Sequence, residues 1–532
     1  MPSPKPSPLL RGLFGLLLLL PACGLCTVDQ LWLTLSTFTS SLKDMRLNMD
    51  GEFIGFKNYI AMFTDQLFPA SLGYTTLLIV IHLLAAAILP PLLAMAVHRF
   101  SKRGSRLARL WFTLPLAYFG PAMAMFAPAF LRDIWKPDSL HRTYLLLDGV
   151  VALAVACGIG LVVYLAVLRG QKEDGKLPTG TLFTTWLVTQ LAMIAYGLQS
   201  FNLLALITPG RGGKFVLGQM LAQTVRNSFL GLTSSISVFL ILLAALFGII
   251  ATVVLIARKI QISHHSEDAS ASPQPSSGFF IPGMVALVLG GLAAFFVTIV
   301  PLGMGLVNAF GNFSSVEFGP FLRTAANTVL PSLLTVLFIQ LPVAYLGALG
   351  ISVVRPFGKG SMWLLLLFSP WLFVTSMPLA LAAFKNLRAV ELLDSPLALT
   401  PPLLLNIPLL FILTLFFKGQ YQTWQATGKE GTPSMGEVFT HWVRPSLPLA
   451  LFMAVLSVLV TTQDVFASYL VGISREQQTI TIAIAQIAGT FNPGSIAAIL
   501  ALFGIPFFIL TFIILAILQV TYLDRLRITN EV

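Results

Sequence analysis

Polar residues inside long apolar stretches are the part of this sequence that could bind a solute. Asp464 is the one acidic residue deep within a predicted membrane span, in the stretch Thr461-Thr462-Gln463-Asp464, and Gln199-Ser200-Phe201-Asn202 occupies the corresponding place in the first half. A charge at the centre of a membrane helix costs about 2.5–3.5 kcal/mol, so such groups usually face protein or a water-filled path. We therefore predict a solute path formed by Gln199, Ser200, Asn202, Thr462, Gln463 and Asp464. These residues are equally typical of a hydrogen-bonded contact between helices, and the sequence leaves both interpretations open.

A second pattern places charged residues before a glycine in two polar loops. Glu173-Asp174-Gly175 follows one apolar stretch, and Lys429-Glu430-Gly431 follows another. Glycine tolerates a left-handed turn without steric cost, so each loop could form two short helices that meet at the glycine. We interpret each loop as a projecting hook that a partner protein can push.

The two loops belong to an internal repeat. Leu89-Pro90 and Leu341-Pro342 each precede a basic connection and a proline-containing apolar segment. Gly175 lies 85 residues after Pro90, and Gly431 lies 89 residues after Pro342. Internal repeats in membrane proteins most often belong to transporters.

The composition is that of a membrane protein. The chain has 532 residues, 56% hydrophobic and 10% charged, and a mean hydropathy of +0.86. About 20 apolar residues cross a bilayer as a helix, because a helix satisfies its own backbone hydrogen bonds. We predict an all-α polytopic membrane protein with about 12 transmembrane helices in two pseudo-twofold related six-helix halves. The predicted spans are residues 9–28, 72–97, 110–130, 146–168, 181–206, 229–257, 279–310, 329–353, 361–384, 398–417, 447–471 and 497–523.

The predicted domains are a first half at residues 1–257, a cytoplasmic linker at 258–278 and a second half at 279–532. The net charge is +11, and the densest basic loop, residues 99–109, falls on the inner side when both termini are cytoplasmic. This placement agrees with the positive-inside rule. No basic patch alternates with aromatic residues on a soluble domain, so nucleic acid is not an expected partner. His264-His265 lacks a third ligand nearby, so no metal site is expected.

Several short motifs, taken in order, resemble the permease subunits of binding-protein-dependent ABC importers, in the family built on the maltose and other sugar permeases. The resemblance covers nearly the whole chain, with two permease halves fused. Its motifs are Phe53-Ile-Gly-Phe-Lys-Asn-Tyr59, Leu198-Gln-Ser-Phe-Asn202, Thr208-Pro-Gly-Arg-Gly-Gly213, Asn327-Thr328, Leu341-Pro-Val-Ala-Tyr345, residues 479–491 and Trp424-Gln-Ala-Thr-Gly-Lys-Glu-Gly431.

This resemblance implies that both cytoplasmic loops dock in clefts of ATP-binding subunits. Gln425-Ala426-Thr427 stands where the family has Glu-Ala-Ala, and the first loop keeps only the acidic residues and the glycine. The residues that the resemblance assigns to coupling are Glu173, Asp174, Gly175, Ala426, Lys429, Glu430 and Gly431.

The sequence contains no Gly-x-x-x-x-Gly-Lys-Ser/Thr phosphate loop, so ATP hydrolysis is expected on another chain. The resemblance implies two ATP-binding-cassette ATPase subunits on the cytoplasmic face, which carry ATP and Mg, and an extracytoplasmic solute-binding protein. The chain itself is expected to bind no cofactor, to catalyse no reaction, and to contact lipid in a bacterial plasma (inner) membrane.

The sequence leaves more than one possibility open for the transported solute and for the class of transporter. A carbohydrate or a related small solute is expected from the resemblance, and fused permeases of this superfamily also resemble those for ferric iron, thiamine and polyamines. An ion-coupled secondary transporter would need several buried ionisable groups, and the sequence points to Asp464 alone. His82 is predicted to be an isolated hydrogen-bond donor between helices. A membrane-embedded enzyme would need a catalytic cluster, which the sequence does not suggest.

Overall fold

Long apolar helices make up almost all of the structure. A computed structural model of the chain describes residues 8–46, 51–128, 137–170, 177–207, 216–264, 279–393, 395–427, 433–472, 475–489 and 492–530. Within this part of the chain, nine helices are long and apolar enough to cross a membrane. The protein is therefore an all-α, multi-pass membrane protein.

The helices of the first half alternate between long spans and short connecting pieces. Ser101 caps one short helix, because its hydroxyl accepts a hydrogen bond from the Gly104 backbone N–H at 3.3 Å. The described helices are α1 Leu10–Ser41, α2 Lys57–Thr64, α3 Leu67–His98, α4 Lys102–Thr113, α5 Pro137–Arg169, α6 Thr179–Leu198, α7 Asn202–Ile207, α8 Leu217–Arg226 and α9 Leu230–Ala257.

The second half follows the same alternation. Asp464 caps one of its short helices by accepting a hydrogen bond from the Ala467 backbone N–H at 3.1 Å. The described helices are α10 Phe280–Ala309, α11 Phe318–Val354, α12 Ala380–Ala389, α13 Ile407–Ala426, α14 Met435–Thr462, α15 Val465–Val471, α16 Ile480–Ala488 and α17 Pro493–Arg525.

The third predicted span of each half, 110–130 and 361–384, is not a continuous helix. Proline removes a backbone donor and clashes with the preceding turn, and here Pro121 and Pro370 each begin a new short turn. Non-helical backbone at membrane depth is tolerated where protein or a water-filled cavity surrounds it. We name these the first interrupted segment, residues 114–126, and the second interrupted segment, residues 358–379. Their 3-10 turns are Leu114–Leu116, Gly120–Phe126, Gly358–Leu367, Ser369–Trp371 and Met377–Leu379.

The predicted span at residues 398–417 also differs from the structure, because α13 begins only at Ile407. Pro401 and Pro402 precede it in a non-helical stretch, and Asn406 caps the helix by accepting a hydrogen bond from the Leu409 backbone N–H at 2.9 Å. Proline cannot continue a helix interior, so the span starts after the prolines and runs on to Ala426.

The first helix of each half packs against the other half. Near the start of α1, Arg11 Nε donates a hydrogen bond to the carbonyl oxygen of Val354, at the end of α11, over 2.7 Å. Near the start of α10, Gly283 lies so close to α3 that a Cβ built on it would be 2.6 Å from the Leu92 carbonyl oxygen. The two halves therefore cannot separate without unpacking both of these helices.

A two-stranded antiparallel sheet joins the ends of the two halves. Strand β1, Ile260–His264, pairs with strand β2, Leu526–Asn530. Strand β1 includes part of the predicted linker, whose residues 265–278 lie outside the described part of the chain. Strand β2 lies against the end of α5, and β1 lies against α13. We call the side of the protein that carries this sheet the strand face.

The contact between β1 and α13 depends on a glycine. A Cβ built on Gly419 would lie 2.1 Å from the carbonyl oxygen of Ile262, and backbone must then move. We expect Gly419→Ala to lower the free energy of unfolding by about 1–3 kcal/mol, as overpacking usually does. Denaturant unfolding of the detergent-purified protein measures this. Gly436→Ala is the matched control, because nothing lies within 4 Å of a Cβ at that position; equal stability of both variants would contradict the contact.

Candidate functional site

A cavity of 540 Å³ lies between the two halves. The first half contributes the turn between α6 and α7 together with Gln30 of α1, and the second half contributes most of the remaining wall. That wall consists of parts of α11, α12, α14 and α15, the second interrupted segment from Trp371 to Leu379, and the non-helical stretch before α13. The volume is in the usual range for sites that bind small molecules.

Gln199 binds the backbone of the second interrupted segment in two directions. Its Nε2 donates to the carbonyl oxygen of Phe373 at 2.9 Å, and its Oε1 accepts from the backbone N–H of Thr375 at 2.8 Å. The hydroxyl of Thr375 donates to the same Oε1 at 2.9 Å. This side chain therefore satisfies backbone groups that the proline-broken helix leaves without helical partners.

Gln463 does the same for the first interrupted segment. Its Nε2 donates to the carbonyl oxygen of Tyr118 at 3.0 Å, and its Oε1 accepts from the backbone N–H of Gly120 at 2.7 Å. In both contacts the glutamine of one half spans the carbonyl of one residue and the N–H of the second residue after it in the other half. We call these the Gln199 contact and the Gln463 contact.

Another pair of matched hydrogen bonds has one member in each half. The Thr75 hydroxyl on α3 accepts from the backbone N–H of Leu217, at the start of α8, over 2.9 Å. The Thr328 hydroxyl on α11 accepts from the backbone N–H of Ile480, at the start of α16, over 2.8 Å. In each case a span fixes the start of a short helix of the same half.

Asp464 lies at the cavity wall and is already hydrogen-bonded. One carboxylate oxygen caps α15, and the other accepts a hydrogen bond from the Ser376 hydroxyl of the second interrupted segment. Asn202 lies beside it, and its Oδ1 accepts from the backbone N–H of Val465 at 3.3 Å. The carboxylate and the amide therefore join the turn of the first half to the interrupted segment and short helix of the second.

Five of the six predicted path residues line the cavity: Gln199, Ser200, Asn202, Thr462 and Asp464. The sixth, Gln463, is absent from the described lining and holds the first interrupted segment instead. The rings of Phe201 and Phe466 form an edge-to-face pair with centroids 5.5 Å apart.

Sequence reasoning missed several polar groups of the wall, including Thr375, Ser376 and Gln30. Thr375 and Ser376 come from the second interrupted segment, and Gln30 comes from a π-helical turn of α1. A usable signal for the first two was present, because proline-interrupted segments at matched positions of two halves point to a binding site. No comparable sequence signal marks Gln30.

Two further acidic residues are buried, so Asp464 is not the one acidic residue inside the helical core that the sequence predicted. Asp29 Oδ2 on α1 accepts a hydrogen bond from the backbone N–H of Leu404 at 2.7 Å. Asp148 on α5 lies 2.5 Å from Nε2 of His82 on α3, and both residues are buried. The prediction that His82 is an isolated donor is therefore wrong, because the sequence separation of 66 residues hid its carboxylate partner.

A partly buried ion cluster lies at the strand face. Asp524, at the end of α17, pairs with Arg109 of α4 and with Arg169 of α5, the latter at 2.9 Å. Arg169 also donates to the carbonyl oxygen of Leu523 at 2.8 Å. Burial and the neighbouring Arg106 lower the pKa of Arg109 to about 10, so its guanidinium stays charged at neutral pH.

The described residues that flank the predicted coupling loops lie at this same face. Ala426 is exposed at the end of α13, and Thr181, just after the first loop, donates its hydroxyl hydrogen to Asn530 of β2 at 3.0 Å. The other predicted coupling residues lie outside the described part of the chain: Glu173, Asp174, Gly175, Lys429, Glu430 and Gly431.

Comparison of the chain with protein-family models, with curated proteins and with solved structures finds no match.

Proposed function

We propose that this protein is the permease subunit of an ATP-binding-cassette importer, with two pseudo-twofold related halves fused in one chain. The observation that carries the proposal is the pair of glutamine contacts, because each half uses the same two hydrogen bonds to hold the interrupted segment of the other. The paired Thr75 and Thr328 hydrogen bonds and the exchanged first helices support the same symmetry.

Two halves that meet at a cavity are suited to transport by alternating access. Discontinuous segments at the interface between repeats typically form the solute site, and one repeat rocks against the other around it. Here the cavity lies at such an interface and takes one wall from the second interrupted segment. The Gln199 and Gln463 contacts join the two halves across their interface.

The position of the strand face favours a partner protein that drives the conformational change from this side. The described residues that flank both predicted coupling loops lie beside one sheet, so a partner on this side could push both loops together. The proposed partners are two ATPase subunits, which carry ATP and Mg, on a cytoplasmic strand face, and a solute-binding protein on the opposite face. In this proposal the membrane is a bacterial plasma membrane and both termini are cytoplasmic.

The cavity chemistry favours a neutral, hydroxyl-bearing cargo. Among the described lining residues Asp464 is the one acidic side chain and none is a lysine or arginine, and amide and hydroxyl side chains form most of the polar wall. The carboxylate is already stabilised by Ser376 and the start of α15. A carbohydrate or a related small solute suits this wall, and ferric iron, thiamine and a polyamine are the alternatives.

Cross-linking tests the proposal. Cys23, Cys26 and Cys157 are first replaced, and single cysteines are then placed at Gly175 and at Gly431. With a co-expressed ATP-binding-cassette ATPase that carries cysteines in its docking cleft, we expect a disulfide-linked product at both positions. Denaturing gel electrophoresis detects it.

The control for this experiment lies on the opposite face. A cysteine at Gly311, in the turn after α10, should give no product with the same ATPase. Absence of a product at both Gly175 and Gly431 would overturn the proposed coupling, as would a product at Gly311 of equal yield.

A second candidate function is a proton-coupled secondary transporter, which the buried His82–Asp148 pair favours. Uptake into vesicles distinguishes the two. Uptake by an ATP-binding-cassette importer requires ATP and the ATPase subunits, whereas uptake by a secondary transporter requires a proton gradient and neither of these.

A further inference from the structure

Helix α4 carries an exposed basic surface at the strand face. Arg103 and Arg106 are exposed, whereas Arg109, at the next turn, is buried and pairs with Asp524. Residues 99–113 contain five basic residues and no acidic residue. Within the described part of the chain, no carboxylate forms an ion pair with Arg103 or Arg106. The outward charge of α4 is therefore available to an anionic ligand.

An apolar surface continues from the basic end of α4. Arg103, Leu107 and Trp111 are spaced by four residues, so they lie on one face of the helix. Leu107 is 68% exposed and Trp111 is 43% exposed. The rise from Arg103 to Trp111 is about 12 Å along the helix axis. Basic residues at one depth and a tryptophan ring at another are typical of a helix end at the membrane–water interface.

Helix α10 extends this apolar surface. Trp111 Nε1 donates a hydrogen bond to the carbonyl oxygen of Gly291 at 3.1 Å, and the Trp111 ring stacks on the ring of Phe295 with centroids 6.4 Å apart. At the start of α10, the guanidinium carbon of Arg99 lies 5.9 Å from the centroid of the Phe280 ring. Exposed apolar side chains on this part of α10 include Phe280, Ile281, Val288, Leu292 and Phe295.

The corresponding connection in the second half is built differently. Arg355 there is turned inward, because its guanidinium carbon lies 3.8 Å from the ring centroid of Tyr421 and its Nε donates to the carbonyl oxygen of Ser352 at 2.9 Å. Lys359 is exposed, but it lies in the 3-10 turn Gly358–Leu367 rather than in an α-helix. Paired exposed arginines on an α-helix thus distinguish the first half at this connection.

The residues that combine exposed charge with exposed apolar surface, which we call the α4 surface, are Arg99, Arg103, Arg106, Leu107 and Trp111. We propose that the α4 surface binds an anionic phospholipid. Guanidinium groups bind phosphate oxygens through charged hydrogen bonds, and basic clusters beside membrane helices attract anionic headgroups. The acyl chains then lie against Leu107 and along α10. An acidic protein would satisfy the arginines only, whereas a lipid also covers the apolar side chains next to them.

This site goes beyond the proposed importer, because its ligand is a component of the membrane rather than a cargo or an ATPase. Helix α4 leads directly into the first interrupted segment at Leu114. Gln463 of the second half accepts a hydrogen bond from that segment at Gly120. A lipid bound to α4 therefore anchors the first interrupted segment at the membrane surface.

Fluorescence quenching by brominated lipids tests the site. The full-length protein is reconstituted into phosphatidylcholine bilayers that contain a small fraction of brominated phosphatidylglycerol or, in parallel, of brominated phosphatidylcholine. Subtracting the signal of Trp111→Phe isolates the fluorescence of Trp111. We expect stronger quenching of Trp111 by phosphatidylglycerol. Each basic residue near the surface strengthens the binding of anionic lipid about fivefold, so the double variant Arg103→Gln, Arg106→Gln should lower this preference by about 30-fold.

A second double variant, Arg323→Gln with Arg388→Gln, is the matched control, because both arginines are exposed and lie outside the α4 surface. It should keep the preference of the unaltered protein. Equal quenching of Trp111 by the two lipids in the unaltered protein would overturn the proposal, as would a preference that survives in Arg103→Gln, Arg106→Gln.

Native mass spectrometry of the unaltered, detergent-purified protein repeats the comparison without any substitution. We expect bound phosphatidylglycerol at concentrations where phosphatidylcholine is not retained, and equal retention of the two lipids would contradict the site. Neither measurement requires an ATPase or a cargo, so failure of the proposed importer leaves both results interpretable.

Discussion

Replacing Asp524 with alanine should lower the free energy of unfolding by about 1.5–3 kcal/mol, the usual contribution of hydrogen bonds to charged groups, because its side chain is partly exposed while its two arginine partners are largely buried. Asp524 is the shared partner of Arg109 and Arg169, and Arg109 is 4% exposed. Asp524→Ala therefore leaves two guanidinium groups without their carboxylate. Denaturant titration of the detergent-purified protein measures the loss.

An exposed ion pair in the same chain provides the comparison. Arg323 and Glu476 are 3.7 Å apart, with side chains 60% and 82% exposed. Water screens such a pair, so Glu476→Ala should change the unfolding free energy by less than about 1 kcal/mol. If the two variants lose equal stability, the strand-face cluster does not hold α4, α5 and α17 together.

The long apolar helices are largely predictable from hydropathy, because a helix that satisfies its own backbone leaves a run of about 20 apolar residues in the sequence. The nine long helices of the described chain all overlap predicted spans. Hydropathy alone misses the interrupted segments, since their apolar composition is that of a helix and only their prolines mark the breaks. At Pro121 and Pro370 the backbone leaves the helix, and nearby backbone groups find partners in side chains of the opposite half.

The site is predictable in its residue types and only partly in its roles. Gln199 and Asp464 stand out because a polar group in an apolar span is energetically costly and usually faces other protein groups or water. The sequence assigns Gln463 to the cavity, and its actual partner, the backbone near Tyr118, is too distant in sequence to infer from one chain. The same limitation hides Asp148 from His82, because long-range pairing of side chains leaves no local periodicity.

The Gln199 contact should control access to the cavity, and the Gln463 contact should not. Gln199→Leu and Gln463→Leu each leave one backbone carbonyl and one backbone N–H without their partner, which costs about 1–3 kcal/mol for a buried polar group. We therefore expect similar losses of unfolding free energy from both variants. Only the Gln199 contact borders the cavity, so only its loss frees a segment of the cavity wall.

A cysteine at Ser468, which lines the cavity, reports that opening in a chain without its three native cysteines. If Gln199→Leu shifts the wall toward an open state by about 1–3 kcal/mol, labelling by a water-soluble maleimide should accelerate roughly 5- to 150-fold. Labelling in Gln463→Leu should remain at the original rate, because the first interrupted segment is packed away from the cavity. Equal acceleration in both variants would mean that the halves move as one unit and that the two glutamines share a single structural role. A change confined to Gln199→Leu makes the second interrupted segment the movable wall, and places the asymmetry of the cavity in one proline-broken stretch.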